Sequence, residues 1–366
     1  MKVEGMDYKM RKLYEDVELE LKKVNYNDLW TGFSRKEFAL YNKVKIFLKN
    51  EEIPYDNRFL GNTSIDYNGE NLAIWHVEDP NKVDSRELAS NIIHEMFHSY
   101  QLSNGEKRFP NDLKGLDYPI DLKNFEIKYR ENMLLIQALD SNNRDLKNNL
   151  LKEIISLRMS RLQRYGDIIK YEFAVETVEG SAEYCGTKAL KFISEELYEK
   201  RIEEYKNILS TNTSSLFDIR MISYYTGVLL LILFEDLNID FIKEIIGQSQ
   251  SIFEEVAEKI GYIIIDIENV FDPRIEENFR THVDNLDKRF EDFFNKPLIK
   301  HEGDFVICGY DPMNMVKLRD MILCDNFIML IDRKFQEKIF LKGPIVVKVK
   351  NGTSNQVTGY YSRKSL

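Results

Sequence analysis

Helical patterning dominates one long stretch of this chain, and a different pattern follows it. From 121 to about 300, apolar residues recur three and four positions apart, which predicts a largely helical region. Breaks are expected near Asn142, Gly166, Thr211 to Ser215, Gly247 and Asp272-Pro273. From His301 onward, β-rich runs separated by glycine and proline predict strands at 305–307, 327–331 and 345–349. The chain is therefore predicted to be α+β and predominantly helical, with residues 1–300 forming the main domain and 301–366 a β-containing C-terminal subdomain.

The first 120 residues are predicted to change from helix to strand and back to helix. Residues 1 to about 50 are predicted to be helical from the spacing of Leu13, Val17, Leu21, Phe38, Leu40, Val44 and Phe47. Turn signals in 59–69 precede a run at 71–77 that we interpret as a strand. Pro80 closes this strand. Asp84 then offers an N-cap with Glu87 three residues later, so a helix is predicted from 84 to about 102.

Composition and charge exclude several classes of function. Hydrophobic residues make up 43% of the 366 residues and charged residues 31%, which is typical of a globular chain rather than a disordered one. The net charge of −10 gives no basic surface for nucleic acid. The longest apolar run, 228–234, is too short to span a membrane, and the charged N-terminal segment lacks the apolar core of a secretory signal. Three widely spaced cysteines suit a reducing compartment, so we expect a cytoplasmic protein.

The strongest functional signal is the run His-Glu-Met-Phe-His at 94–98. Residues four apart lie on one face of a helix, so His94 and His98 can bind a single metal ion. Glu95 can then reach a water molecule on that ion and act as a general base. Only five histidines occur in the chain, and residue frequencies give an expectation on the order of 0.01 chance occurrences of this pattern.

A catalytic zinc site needs a third protein ligand and an open position for water. The other three histidines, His76, His282 and His301, are isolated and lack a supporting pattern. Four glutamates spaced four, three and four apart predict a carboxylate stripe on one helical face: Glu172, Glu176, Glu179 and Glu183. Such a stripe is usually solvated, but the small residues at 180–182 favour close packing against another helix. The third ligand is therefore expected within this stripe.

The two motifs together resemble those of the gluzincin metallopeptidases, the group that includes thermolysin-like enzymes and zinc aminopeptidases. In that family a second helix supplies a glutamate ligand, often within Glu-Gly-x-Ala, and 179–182 match this pattern. The resemblance implies a zincin-like core holding one Zn²⁺, with Glu179 as third ligand and Glu183 supporting a ligand histidine. The gap of 81 positions from His98 to Glu179 is longer than in familiar members, which leaves Glu176 open as the alternative carboxylate.

A peptide or protein is the substrate class that this arrangement favours. An extended peptide can add to an exposed sheet edge through main-chain hydrogen bonds. The strand directly before the motif helix is the expected edge, and its residues are Leu72, Ala73, Ile74, Trp75 and His76.

A hydrogen-bond donor for the transition state is expected downstream of the third ligand. Gluzincins usually have a tyrosine or histidine there, and Tyr224 and Tyr225 open an apolar helix that also contains Gly227. Neither periodicity nor spacing separates the two tyrosines, and we favour Tyr225 slightly. His282 is the weaker alternative, because it lies on a charged helix.

Two other functions use the same metal residues. A zinc hydrolase of a non-peptide amide or ester should lack a free edge strand at 72–77. A non-catalytic binding or regulatory protein should have an occluded cleft, with the C-terminal β segment as its working part. In every case both motifs lie upstream of 301, so the metal site is expected to form without residues 301–366.

Overall fold

Two sheets and a helical body between them make up the fold, as seen in a computed structural model that describes residues 2–210, 213–270, 272 and 275–363. The first part contains α1 (Lys2–Leu21), α2 (Tyr26–Leu29), β1 (Phe38–Tyr41), β2 (Lys45–Phe47), β3 (Glu52–Pro54), β4 (Thr63–Tyr67) and β5 (Glu70–His76). The helical body contains α3 (Ser85–Ser103), α4 (Asp112–Gly115), α5 (Leu122–Asp140), α6 (Arg144–Tyr165), α7 (Lys170–Val175), α8 (Ser181–Ile193), α9 (Glu195–Ser210), α10 (Ile219–Asp236), α11 (Ile252–Ile260) and α12 (Glu276–Phe294). The predicted α+β class is confirmed.

The last part of the chain forms the second sheet. Its strands are β6 (Leu298–Tyr310), β7 (Met315–Leu318), β8 (Met321–Cys324), β9 (Phe327–Asp332), β10 (Glu337–Lys342), β11 (Ile345–Val349) and β12 (Gln356–Arg363). The spatial order is β10-β9-β6-β12-β11-β8-β7. All three predicted β-rich runs lie within these strands. The predicted breaks at Thr211 and Pro273 fall outside the described residues.

The helix predicted over residues 38–50 is wrong, because this segment forms β1 and β2 of the first sheet. All four residues of β1 are buried. Phe38 and Leu40 face the main core, whereas Ala39 and Tyr41 face a second core on the opposite side. A strand buried on both faces shows no alternation of polar and apolar residues, so its sequence resembles a buried helix.

The strand predicted at 71–77 is confirmed as β5, but its assignment as the sheet edge is wrong. The first sheet has the order β3-β2-β1-β5-β4, so β5 pairs with parallel β1 on one side and antiparallel β4 on the other. Ala73 and Ile74 therefore lie between two strands, whereas Leu72 pairs only with β4, and Trp75 and His76 pair only with β1. A two-residue turn with positive φ at Asn68 (57°) and Gly69 (86°) folds β4 back onto β5. The edge on this side is β4.

Close helix packing in the body depends on three glycines. A Cβ atom on Gly186 of α8 would lie 2.7 Å from the carbonyl oxygen of Ser90 in α3. A Cβ atom on Gly227 of α10 would lie 2.8 Å from the Cα of Gly180. Helix α3 therefore approaches α8 at Gly186, and α10 approaches the turn at Gly180, with almost no space for a side chain, which brings their polar residues together.

The second sheet packs against the helical body on both of its faces. Leu286, Phe290 and Phe293 of α12 cover one face. Leu113 of the short helix α4 is buried in the core on the other face. Within the described part of the chain, no helix is both long and apolar enough to cross a bilayer.

Candidate metal centre

Helix α3 places the two motif histidines on successive turns of one buried face. Its N-cap is the predicted Asp84, whose carboxylate accepts a hydrogen bond from the backbone N–H of Arg86. The Nε2 atoms of His94 and His98 lie only 3.0 Å apart. The helix predicted from the capping pattern and the inward orientation of the motif are therefore both present.

The predicted stripe of four glutamates on one helical face is wrong, because a π-helical turn at Glu176–Gly180 divides it. A π turn contains an extra residue, so the side chains after it are rotated about the axis relative to those before it. Glu172 and Glu176 consequently point toward α5 and α6, whereas Glu179 and Glu183 point toward α3. The sequence carries no strong signal for this turn.

Glu179 completes a group of three converging ligand atoms with the two histidines. Its Oε2 atom lies 3.1 Å from Nε2 of His98 and 3.8 Å from Nε2 of His94. Metal–ligand bonds of about 2.0–2.1 Å at tetrahedral angles place ligand atoms about 3.3 Å apart. The three separations lie around that value, so a small divalent cation fits between these atoms.

The hydrogen bonds of the outer imidazole nitrogens determine which atoms face inward. Nδ1 of His94 lies 2.7 Å from the Glu183 carboxylate, which can only accept a hydrogen bond. Nδ1 of His98 lies 2.7 Å from Oε1 of Gln101. The amide of Gln101 is oriented by its Nε2, which donates to the carbonyl oxygen of Val178. In the neutral imidazoles both Nδ1 atoms therefore carry the proton, and both Nε2 atoms then present lone pairs to each other.

The carboxylates of Glu179 and Glu183 control the charge of the centre. Burial lowers the pKa of His94, but hydrogen bonds to Glu179 and Glu183 outweigh it and raise that pKa well above its ordinary value. Burial raises the pKa of Glu179, but His98 and Arg220 outweigh it and lower that pKa well below its usual range. The site thus stabilises positive charge, supplied by a proton or by a metal cation.

Glu183 supports His94, as the resemblance implied, and α9 in turn holds Glu183. The hydroxyl of Tyr205 donates to Oε1 of Glu183, and Arg201 lies 3.8 Å from the same oxygen. Although burial raises the pKa of Glu183, the bond to His94 and these neighbours lower it to about 2. Sequence reasoning missed Tyr205 and Arg201, because nothing local indicates that α9 packs here.

Glu176 is neither a ligand nor a support for the ligand histidines. Both of its oxygens accept hydrogen bonds from Arg158, at 2.7 and 2.8 Å. The hydroxyl of Thr226 donates to Oε1 at 2.6 Å. All three side chains are buried, so Glu176 belongs to an ion-pair network inside the helical body. The alternative left open by the sequence is thereby decided in favour of Glu179.

Arg220 of α10 is a third residue that sequence reasoning missed. Its Nη2 donates to Oε1 of Glu179 at 2.7 Å, and its Nη1 donates to Asp112 of α4. The hydroxyl of Tyr171 also donates to Asp112 at 2.9 Å. A weak signal existed, because Arg220 lies one helical turn before Tyr224 and therefore shares its face. The Arg220 bond leaves Oε2 of Glu179 as the oxygen that faces the histidines.

The two candidate tyrosines have different surroundings. The ring of Tyr224 stacks on His94 at 6.1 Å with an interplanar angle of 8°. Burial and the nearby Glu179 raise the pKa of Tyr224, so its hydroxyl stays protonated at neutral pH and can donate. Tyr225 instead stacks on Tyr205 at 4.8 Å, behind Glu183. The slight preference for Tyr225 is therefore wrong, since Tyr224 is the tyrosine beside the ligands.

The remaining histidines lie away from this centre. His282 stacks on Phe217 at 4.7 Å, His76 lies beside Tyr41 at the end of β5, and His301 stacks on Tyr360 in the second sheet.

Glu95 is buried in α3 next to the motif histidines. Its carboxylate is close enough to raise the pKa values of both His94 and His98. Its side chain forms no hydrogen bond with any residue in the described ranges. The ligand side chains His94, His98 and Glu179 keep 10, 17 and 14% of their surface exposed, so water can enter an otherwise enclosed site.

Strand β4 runs beside the motif helix. The hydroxyl of Ser64 lies 2.5 Å from that of Ser99, one turn beyond Glu95. No second strand pairs with β4 among the residues that the structure describes. Because the turn at 68–69 makes Tyr67 and Glu70 a hydrogen-bonded pair, the main-chain groups of Ser64 and Asp66 point away from β5.

Comparisons with known proteins give no relative for this chain. No protein-family model, no curated protein and no solved structure matches it. The site must therefore be interpreted from its own geometry.

Substitution of Glu176 or Glu179 by glutamine should separate fold stability from zinc affinity. Glu176→Gln should destabilise the fold by up to about 3–5 kcal/mol, because buried Arg158 loses its bidentate partner and keeps only Glu131, and the folded fraction should still bind zinc. Glu179→Gln should weaken zinc binding strongly with a much smaller change in stability. Urea unfolding and zinc titration with a competing chelator measure the two quantities. Loss of zinc affinity in folded Glu176→Gln would contradict the ligand assignment.

Proposed function

We propose that this protein is a zinc-dependent hydrolase, and specifically a peptidase. One observation carries the proposal. Two imidazole lone pairs and a carboxylate oxygen converge within 4.8 Å, while both outer imidazole nitrogens are committed to other acceptors. Such an arrangement is destabilising unless a proton or a metal cation lies between these atoms, and three converging ligand atoms suit a metal cation.

The donor set fits zinc better than the other common cations. Two nitrogens and one carboxylate oxygen match the three-ligand sites of hydrolytic zinc enzymes, whereas calcium and magnesium favour sets made of oxygen alone. His94, His98 and Glu179 would hold the ion, with Glu183, Gln101 and Arg220 fixing their orientation. Bound zinc polarises a substrate carbonyl and lowers the pKa of a water ligand to about 7.

The residues of the chain itself supply the proton transfers. Glu95 accepts a proton from the attacking water and later passes it to the leaving amine. Tyr224 keeps its hydroxyl proton and lies against His94, so it can donate a hydrogen bond to the oxygen on which negative charge develops. The low exposure of these groups strengthens both interactions, because little water competes with them.

The peptide substrate is supported by β4 rather than by the strand that the sequence indicated. Ser64 and Asp66 present outward main-chain groups beside α3. An extended peptide can pair with them and run along the motif helix. Ser64 is nearer to the metal ligands, because its hydroxyl contacts Ser99, whereas Asp66 pairs with Asn71, which bonds Ser103 further along α3.

A second candidate is a zinc hydrolase that acts on a non-peptide amide or ester. The observation in its favour is that β5 is an inner strand, paired with β1 over 73–76 and with β4 over 70–74, rather than the sheet edge. The metal residues and the role of Glu95 would be the same. The two candidates differ in whether β4 contributes to turnover.

The metal and the base can be separated by substitution. The protein should contain one zinc per chain, and His94→Ala or His98→Ala should remove it. Glu95→Gln should keep the zinc and lower hydrolysis of a peptide library by roughly 10²–10⁴-fold, because it removes only the base. Elemental analysis and cleavage assays on the same preparations measure both. A parent protein purified without chelators that contains no transition metal would argue against the whole proposal.

Phenylalanine substitutions distinguish the two tyrosines. Tyr224→Phe should lower kcat by roughly 10²–10³-fold with zinc content unchanged, since an oxyanion donor is lost. Tyr225→Phe is the matched control, because its ring stacks on Tyr205 and not on a ligand. If both variants turn over at the parental rate, the donor lies elsewhere.

Proline on the edge strand tests the substrate class. Ser64→Pro removes an outward N–H while leaving the β4–β5 pairing possible. It should lower kcat/KM for peptides on the order of 10-fold, as expected for one lost hydrogen bond, and leave a small activated ester unaffected. Ser64→Ala, which keeps the N–H, serves as the control for the hydroxyl contact with Ser99. Equal losses on peptide and ester would favour the second candidate.

A further inference from the structure

The short helix α4 lies between the second sheet and the metal centre. Leu113 is buried in the core of that sheet together with Ile328 and Val347, and Leu116 packs against the same core. Asp117, two residues after the end of α4, forms an ion pair with Lys317 of β7. The position of α4 therefore depends on the second sheet.

The residue preceding Leu113 points toward the metal ligands. Asp112 accepts a hydrogen bond from Arg220, and Arg220 donates to Oε1 of Glu179 at 2.7 Å. A continuous set of contacts thus runs from the second sheet through Leu113, Asp112 and Arg220 to Glu179. We refer to Asp112 and Arg220 as the relay.

Ion pairs, rather than packing alone, hold the relay in position. A cavity of about 460 Å³ borders both Asp112 and Arg220, so neither side chain is enclosed by neighbours on all sides. Helix α4, in contrast, is tightly seated, because a Cβ atom on Gly115 would lie 2.5 Å from the ring of Tyr171. A shift of α4 would therefore move Asp112, and Arg220 would follow its ion-pair partner.

We propose that the second sheet is a functional part of the metal centre, because it holds Glu179 in its ligand orientation through α4 and the relay. The inference rests on the proposed metal site and adds two positioning residues, Asp112 and Arg220, that touch no reacting atom. It replaces the expectation that the metal site is independent of residues 301–366. Without the relay, the Glu179 carboxylate can rotate and present either oxygen, and the orientation must be restored when metal binds.

Zinc affinity of the full-length chain tests the relay directly. Arg220→Gln should weaken zinc binding by roughly 10–100-fold, which is the usual effect of removing a partner that orients a metal ligand. Asp112→Asn should weaken it less, because Arg220 can still reach Glu179. The double variant should bind zinc as Arg220→Gln does, since Asp112 acts only through Arg220. Additive losses, or unchanged affinity in Arg220→Gln, would overturn the inference.

Arg289→Gln is the matched control for the loss of one positive charge beside the cavity that Arg220 borders. Arg289 lines the same cavity, but its partner is Asp325 of the second sheet. Its loss removes a cation that is 42% exposed and does not touch Glu179, so zinc affinity should stay at the parental value. A loss equal to that of Arg220→Gln would mean that zinc binding senses only the general charge, and would overturn the relay.

A pair of core substitutions tests whether the second sheet acts through α4. Leu113→Ala and Leu323→Ala each leave a cavity beside the second sheet, on its α4 face and its α12 face respectively, and both should lower Tm of the metal-free protein. Only Leu113→Ala should also weaken zinc binding, because only it loosens α4. Equal zinc affinities in the two variants, whether both lowered or both parental, would overturn the role of α4 in linking the second sheet to Glu179.

The same titrations separate this inference from the proposed function. A parent protein that binds no zinc overturns the metal site and the relay together. A parent protein that binds zinc tightly, with unchanged affinity in the Arg220, Asp112 and Leu113 variants, overturns the relay alone and leaves the proposed hydrolase intact.

Discussion

Mutual repulsion of electron-rich atoms is the constraint on which this structure depends. The Nε2 atoms of His94 and His98 lie 3.0 Å apart, and the Glu179 carboxylate lies 3.1 Å from the latter. In a site with little exposure, this repulsion must be balanced by a positive charge. The surrounding network maintains the arrangement, because Glu183 and Gln101 keep both outer nitrogens protonated and prevent the rings from turning away.

Buried ion pairs on Glu172 and Glu176 fix the helix before the π turn, so the turn can direct the later glutamates toward α3. Glu172 and Glu176 are bound on one side by Arg161, Lys128 and Arg158. Removing either partner from such a pair is costly in the protein interior, so these contacts hold the helix up to the start of the turn. The extra residue then directs Glu179 and Glu183 toward α3 instead. One segment thereby contributes to both an ion-pair network and a metal site.

Ion pairs also link the second sheet to the candidate metal centre. Its core includes Leu113, and the neighbouring Asp112 bonds Arg220, which bonds Glu179. The close packing of Gly227 against Gly180 brings α10, and with it Arg220 and Tyr224, next to the ligands. Three elements far apart in the chain therefore meet at one carboxylate, which explains why the site cannot be assigned to a single segment.

The sequence by itself determined the motif helix, its cap, the ligand histidines and the α+β class, since these follow from local periodicity and residue chemistry. The resemblance in 179–182 also indicated Glu179 and Glu183. Only the tertiary structure decided which glutamates face the motif histidines, that Tyr224 rather than Tyr225 lies beside them, and that β4 forms the sheet edge. The physical reason is that orientation about a helix axis and neighbours within a sheet depend on long-range contacts, which local patterns do not encode.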